Sequence, residues 1–104
     1  MIKNHLYNGQ ITSNSYTGQQ FDLNDSLYNY DFVSFEFYGN SYVESNLSFH
    51  FSYKIIPVAL FGDITKIHDG ILVRPSSKRI TIESIVIPPG KILLLSDIYG
   101  YKMP

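Results

Sequence analysis

The amino-acid sequence predicts an all-β protein: an antiparallel β-sandwich of about seven to nine short strands, jelly-roll-like or immunoglobulin-like. Three observations point there. Residues 28–53, YNYDFVSFEFYGNSYVESNLSFHFSY, hold two runs of alternating character. In the first, Val33, Phe35 and Phe37 oppose Phe32, Ser34, Glu36 and Tyr38. In the second, Leu47, Phe49, Phe51 and Tyr53 oppose Ser48, His50 and Ser52. Side chains alternate across a strand, so each run can cover a core with one face and meet water or a partner with the other. Secondly, glycine, proline, asparagine and aspartate punctuate the chain about every 8–12 residues, the rhythm of a sandwich or barrel. Thirdly, Ile, Val, Thr, Phe and Tyr dominate while alanine occurs once, at Ala59. Such residues suit a pleated, half-buried surface.

The elements follow in order. Residues 4–7 form a first strand before an Asn8-Gly9 turn, and residues 11–16 a weak one before Thr17-Gly18. Residues 20–23 are a short strand. In the passage 23–30, Asn24 or Asp25 caps a single helical turn with Leu23 and Leu27 facing inward. The strand at 31–38 ends at Gly39-Asn40. The strand at 47–56 meets Pro57, which is restricted to edges, strand starts or bulges. A short strand at 58–61 precedes Gly62-Asp63, and another at 71–74 precedes Pro75. Residues 78–87 form a strand whose phase changes at Glu83-Ser84: Ile80 and Ile82 share one parity, Ile85 and Ile87 the other. Either a β-bulge restores the inward face or both faces are covered. Pro88-Pro89-Gly90 stops it, and residues 92–99 form the last strand. Phe35, Phe37, Phe49, Phe51, Ile80, Ile82 and Leu94 are the expected core.

At 104 residues the chain is expected to be one domain, residues 1–104. Charged residues make up 16%, low against the usual ~25%. The formal net charge of −1 gives no electrostatic case for nucleic acid or an anionic membrane surface. The start of the chain lacks the apolar stretch of a secretory signal, and no apolar run approaches the ~20 residues of a membrane helix. There is no cysteine, hence no disulfide, thiolate metal site or cysteine nucleophile.

The residues specify no chemistry. His5, His50 and His68 lack metal-ligand spacing. No Gly-x-Ser-x-Gly elbow occurs, and residues 63–70, DITKIHDG, lack the carboxylate spacing of a calcium loop. The expectation is a protein that is not an enzyme, with no cofactor, no metal and no catalytic residue. Arg74, Lys78 and Arg79 surround a Pro-Ser-Ser loop, either a solvated loop or a small patch for an acidic partner.

Tyrosine raises the sharper question. Tyr28, Tyr30, Tyr38, Tyr42, Tyr53, Tyr99 and Tyr101 exceed what so small a core can hold. Tyrosine joins a large apolar body to one polar tip and is enriched at interfaces. The candidate contact residues are Tyr38, Tyr42, His50, Tyr99 and Tyr101, offered to another subunit or stacked on sugar rings.

The order of features also resembles a known class. Tyr7-Asn8-Gly9 comes near the start, then Phe21–Asp31 (FDLNDSLYNYD), an alternating aromatic strand, and a close on Asp97–Lys102 (DIYGYK). This resembles small virion proteins and tail- or fibre-associated modules of bacteriophages. In those, a Leu-x-x-Ser-Leu-x-Asn-Tyr-Asp passage leads into the first central strand, matched here by Leu23, Ser26, Leu27, Asn29, Tyr30 and Asp31. An Ile-Tyr-Gly strand ends many of them, matched by Ile98, Tyr99 and Gly100. The resemblance implies a β-sandwich, commonly trimeric or mounted on larger virion parts, with no catalytic set. It makes a structural subunit of a phage particle the expected function, located in the virion as a tail, fibre or capsid-decoration component. The expected partners are further copies of itself and other virion proteins. The alternative is recognition of a host-surface carbohydrate by the same sandwich. The chain lacks a coiled coil, collagen-like stalk or long linker, which suits a small subunit, a decoration protein or a short fibre head.

Overall fold

The computed structural model describes residues 1–8, 17–43, 46–86 and 92–104, and among these the side chains of 1–7, 17–39, 51–86 and 95–104. Among the described residues eight strands occur: β1 (Ile2–Asn8), β2 (Gln20–Asp22), β3 (Phe32–Val43), β4 (Asn46–Pro57), β5 (Thr65–His68), β6 (Ile71–Pro75), β7 (Arg79–Ile85) and β8 (Ile92–Lys102). They form two four-stranded antiparallel sheets, β1-β8-β3-β4 and β2-β7-β6-β5. The predicted all-β, two-sheet architecture is what the chain adopts. The first strand lies beside the last and the second beside the seventh, so the chain ends meet on one side of the first sheet.

The sheets share one core. Leu6, Val33, Phe35, Phe37, Ile56, Leu95 and Ile98 come from the first sheet, and Phe21, Ile67, Ile71, Val73, Ile80 and Ile82 from the second. Of the core expected from sequence, Phe35, Phe37, Ile80 and Ile82 are fully buried. The side chains of Phe49 and Leu94 lie outside the described residues. Phe51 is a correction: it is 50% exposed. The reason is register. In the β3–β4 ladder Val33 pairs with Ile56, Phe35 with Lys54 and Phe37 with Ser52. Paired residues share a face, so the inward odd residues of β3 bring the even residues of β4 inward. Phe51, Tyr53 and Ile55 are turned outward beside Tyr38, Glu36 and Ser34.

Four register shifts occur among the described residues, one of them in β5 at the buried Ile67, and the other three show how the core phase is kept. In β7, Leu72 pairs with Ser84 but Val73 with Ile82, leaving Glu83 as the extra residue. The bulge alternative at Glu83-Ser84 therefore holds, and Ile85 returns toward the core. In β8, Phe37 pairs with Leu95 and Glu36 with Asp97, which makes Ser96 the extra residue and lets Leu95 and Ile98 both point inward. In β1 the slip falls between His5 and Tyr7, at the buried Leu6.

Several boundaries differ from the sequence expectation. β3 runs through Gly39-Asn40, which pair with His50 and Phe49, so the ladder overrides a local turn signal. Residues 58–61 are not a strand: Val58–Leu60 is a 3₁₀ turn closed by Phe61 N–H on the Val58 carbonyl at 3.1 Å. β5, which sequence patterning did not indicate, is a four-residue edge. The expected turn before β3 is a 3₁₀ turn, Leu27–Asn29, and its cap is Ser26 rather than Asn24 or Asp25. Ser26 Oγ accepts from Tyr28 N–H at 3.3 Å, while Asp25 Oδ1 accepts from Ser26 N–H at 2.8 Å. Leu23 and Leu27 are buried, as expected. The proposed strand at 11–16 and the Pro88-Pro89-Gly90 stop lie outside the described residues.

Candidate functional site

The outer face of the first sheet carries the site. Register sets its rows: Lys3, Tyr101 and Phe32; then His5, Tyr99, Ser34 and Ile55; then Asp97, Glu36 and Tyr53; then Tyr38 and Phe51. Aromatic and polar side chains from four strands therefore share one surface, because the inward residues of the same strands are Leu, Ile, Val and Phe.

This face has two halves. On β1 and β8 the side chains close upon one another. The His5 ring stacks on Tyr99 with centroids 4.8 Å apart and planes at 24°. Lys3 Nζ sits 4.2 Å from the Tyr99 centroid and 5.7 Å from that of Tyr101. His5 Nε2 lies 2.8 Å from Asp97 Oδ1. Ser34, buried in the middle of the face, donates to the Tyr101 hydroxyl at 3.2 Å. An ammonium over an aromatic face is held by the ring quadrupole, so Tyr99 and Tyr101 already have partners within the chain.

The half on β3 and β4 is open. Tyr38, Phe51, Tyr53 and Ile55 are 48%, 50%, 63% and 51% exposed. Three of them form a chain of rings: Tyr38 and Phe51 centroids are 5.2 Å apart, and Phe51 and Tyr53 centroids 6.1 Å. The strip is rich in apolar surface, and three of its four residues lie on the edge strand β4, with Tyr38 on the neighbouring β3. Single exposed apolar residues are ordinary, but a contiguous set marks a contact surface. Leu60 and Ile64, 71% and 45% exposed, extend it along the groove that Ile55, Ile56 and Pro57 line.

Of the residues singled out from sequence, Tyr38, Tyr99 and Tyr101 fall on this one face. The side chains of Tyr42 and His50 lie outside the described residues. Phe51, Tyr53 and Ile55 were missed as surface residues because each apolar run was given an inward face on its own. Hairpin parity decides their face: Phe35 is inside and pairs with Lys54, so Phe51 and Tyr53 take the opposite face. His5 and Lys3 gave no signal, since their neighbours are about a hundred residues away in the chain.

Elsewhere, polar side chains bond to one another within the chain. The Asp25 carboxylate accepts from the Tyr30 hydroxyl at 2.8 Å and from Asn29 Nδ2 at 2.9 Å. The Tyr30 hydroxyl, chiefly, and then the Ser26 N–H hold Asp25 below the usual carboxylate range. Burial pushes the Tyr30 phenol up. Arg74 meets Glu83 at 2.5 Å and holds that carboxyl low. His68 packs its ring 4.7 Å from Phe37 and lies 3.1 Å from the Asp69 carbonyl. Among the described residues, no group of three or more His, Asp or Glu is placed to hold a metal ion. Comparison with known proteins finds no matching family model and no matching curated relative.

Proposed function

We propose that this chain is a non-enzymatic structural subunit of a bacteriophage particle, tail- or fibre-associated or capsid-decorating. It works through protein–protein contacts made by the outer face of the first sheet. The phage assignment rests on the resemblance of Phe21–Asp31 and Asp97–Lys102. The mode of action rests on one observation: the open strip formed by Phe51, Tyr53 and Ile55 on the edge strand β4 with Tyr38 beside them on β3. Phenylalanine and isoleucine offer no hydrogen bonds, so this strip favours another protein over a polar ligand. Aromatic-rich, charge-poor surfaces of this kind form interface centres. Weak contacts repeated by symmetry in a particle then add up as avidity.

A second reading keeps the same face and changes the ligand. Tyr53 pairs with Glu36 and Tyr38 stands in the next row, and exposed rings beside a carboxylate acceptor suit a host-surface carbohydrate. Peptide mass spectrometry of particles purified from the strain that encodes the chain tests both. The expected result is the chain present in stoichiometric amount with the particle proteins. Its absence from particles, together with binding on a glycan array that Tyr38→Ala abolishes, would replace the first reading by the second.

A further inference from the structure

Four strands form the sheet edges: β1 and β4 in the first sheet, β2 and β5 in the second. A bare edge offers N–H and C=O groups that another chain can complete, and proteins blunt such edges by shortening, bulges, lysine or proline. Three of these edges are blunted. β2 has three residues. β5 has four and slips register between Lys66 and His68. β1 slips between His5 and Tyr7 and carries Lys3. β4 is different. It has 12 residues, pairs with β3 without a slip, and reaches proline only at its last residue. Lys54 is its single formal charge.

We infer that β4 pairs edge to edge with β4 of a second copy, antiparallel about a two-fold axis at Tyr53, joining two first sheets into one eight-stranded sheet. The inference rests on reading the outer face as a protein-contact surface, and it names the partner. Length selects the occupant. A 12-residue strand spans about 40 Å, and the other edges have seven, three and four residues among the described residues, so β4 is the longest edge that a second copy can offer to β4, and with the axis at Tyr53 residues 49–57 of each copy overlap. Face and charge narrow the register. Directly opposed residues share a face, so outward residues must meet outward residues. An axis at Lys54 would oppose two ammonium groups. An axis at Tyr53 sets that ring against its own copy, Phe51 against the partner's Ile55, and Lys54 against the partner's Ser52. Phe51, Tyr53 and Ile55 then meet one another across the axis, and no like charges are opposed. The exposed Leu60 and Ile64 flank the incoming strand. Isologous pairing of this kind closes on itself and leaves no β4 edge free to propagate.

The chain has no cysteine, so one introduced thiol reports its neighbour cleanly. Across an antiparallel pair the Cα atoms stand about 4.5–5.5 Å apart, within disulfide range. Under mild oxidation Tyr53→Cys is expected to form a covalent dimer, while Phe51→Cys and Tyr38→Cys stay uncrosslinked. Sedimentation should show a concentration-dependent dimer of the wild type. Phe51→Lys with Ile55→Lys opposes like charges twice and should weaken it on the order of tenfold. Phe51→Lys with Ile55→Glu should restore it. A wild type that stays monomeric at about 0.1 mM, an oligomer in which Tyr53→Cys does not cross-link, or two charge variants that behave alike would each overturn the pairing. These results stand apart from the particle test. A chain found in particles yet monomeric in solution rejects the β4 pairing alone, and a β4 dimer missing from particles rejects the virion role alone.

Discussion

At the scale of single residues, the sharpest statement is which aromatic rings are inside. Phe35 is fully buried and Phe51 half exposed. Phe35→Ala should cost about 3–5 kcal/mol through the cavity it leaves. Phe51→Ala should cost under about 1 kcal/mol, the scale of a cross-strand contact. Urea titration of the two variants checks this, and similar midpoints would reverse the face assignment. Gly100 gives a second test. A Cβ built there would stand 2.6 Å from Cγ of Tyr30. That ring is buried and fixed, its hydroxyl donating to Asp25 at 2.8 Å and accepting from Asn4 Nδ2 at 3.0 Å. Gly100→Ala must therefore displace a ring tied at its far end, and a loss of about 1–3 kcal/mol is expected. A wild-type melting temperature would show that the ring does not cover Gly100.

The same residues set the response to pH. Hydrogen bonds and cations depress Asp25, Asp69 and Glu83 in the folded chain: Tyr30 first for Asp25, Lys66 for Asp69, Arg74 for Glu83. Their stabilisation is present above the ordinary carboxylate values, about 4. It is lost as pH falls through the lower folded values. Tyr30 shifts the other way, by burial first, so its contribution holds below the ordinary phenol value of about 10 and fades above it. Melting temperature should accordingly drop between about pH 5 and pH 2, and Asp25→Asn should flatten that slope. An unchanged slope would mean that the Asp25 carboxylate has no special hold in the folded chain.

Individual elements depend on the bulges. Ser96 is the extra residue that lets Leu95 and Ile98 face inward while Tyr99 and Tyr101 face out. Deleting Ser96 would shift the rest of β8 by one residue and exchange its faces. The expected outcome is loss of a cooperative thermal transition by circular dichroism; near-native melting would contradict the register. The two long bulged strands also show what could be read in advance. The phase break at Glu83-Ser84 was legible because Ile80, Ile82, Ile85 and Ile87 change parity in plain view. The break at Ser96 was not, since Leu93, Leu94 and Leu95 are apolar at every position and hide a change of phase. Gly39-Asn40 carried a turn signal that pairing on both sides of β3 overrode. Val58–Leu60 carried strand-favouring residues, but Pro57 and the Val58 N–H bond to the Asp31 carbonyl at 2.9 Å direct a turn.

For the whole molecule, composition and punctuation sufficed to predict two antiparallel sheets, because few helix signals competed. The site was legible only in part. Tyrosine excess pointed to a surface role, and Tyr38, Tyr99 and Tyr101 do share a face. The open strip was not legible, because it depends on which sheet neighbour each strand takes. Among the described residues the molecule has one buried core, three blunted edges, and one long edge bordered by exposed rings. Native mass spectrometry of the purified chain over a concentration series tests this account most directly. It predicts a discrete closed oligomer for the wild type, lost in a Phe51→Ser, Tyr53→Ser double variant that keeps the wild-type melting temperature at low concentration. A monomer throughout, or an oligomer indifferent to those two substitutions, would contradict it.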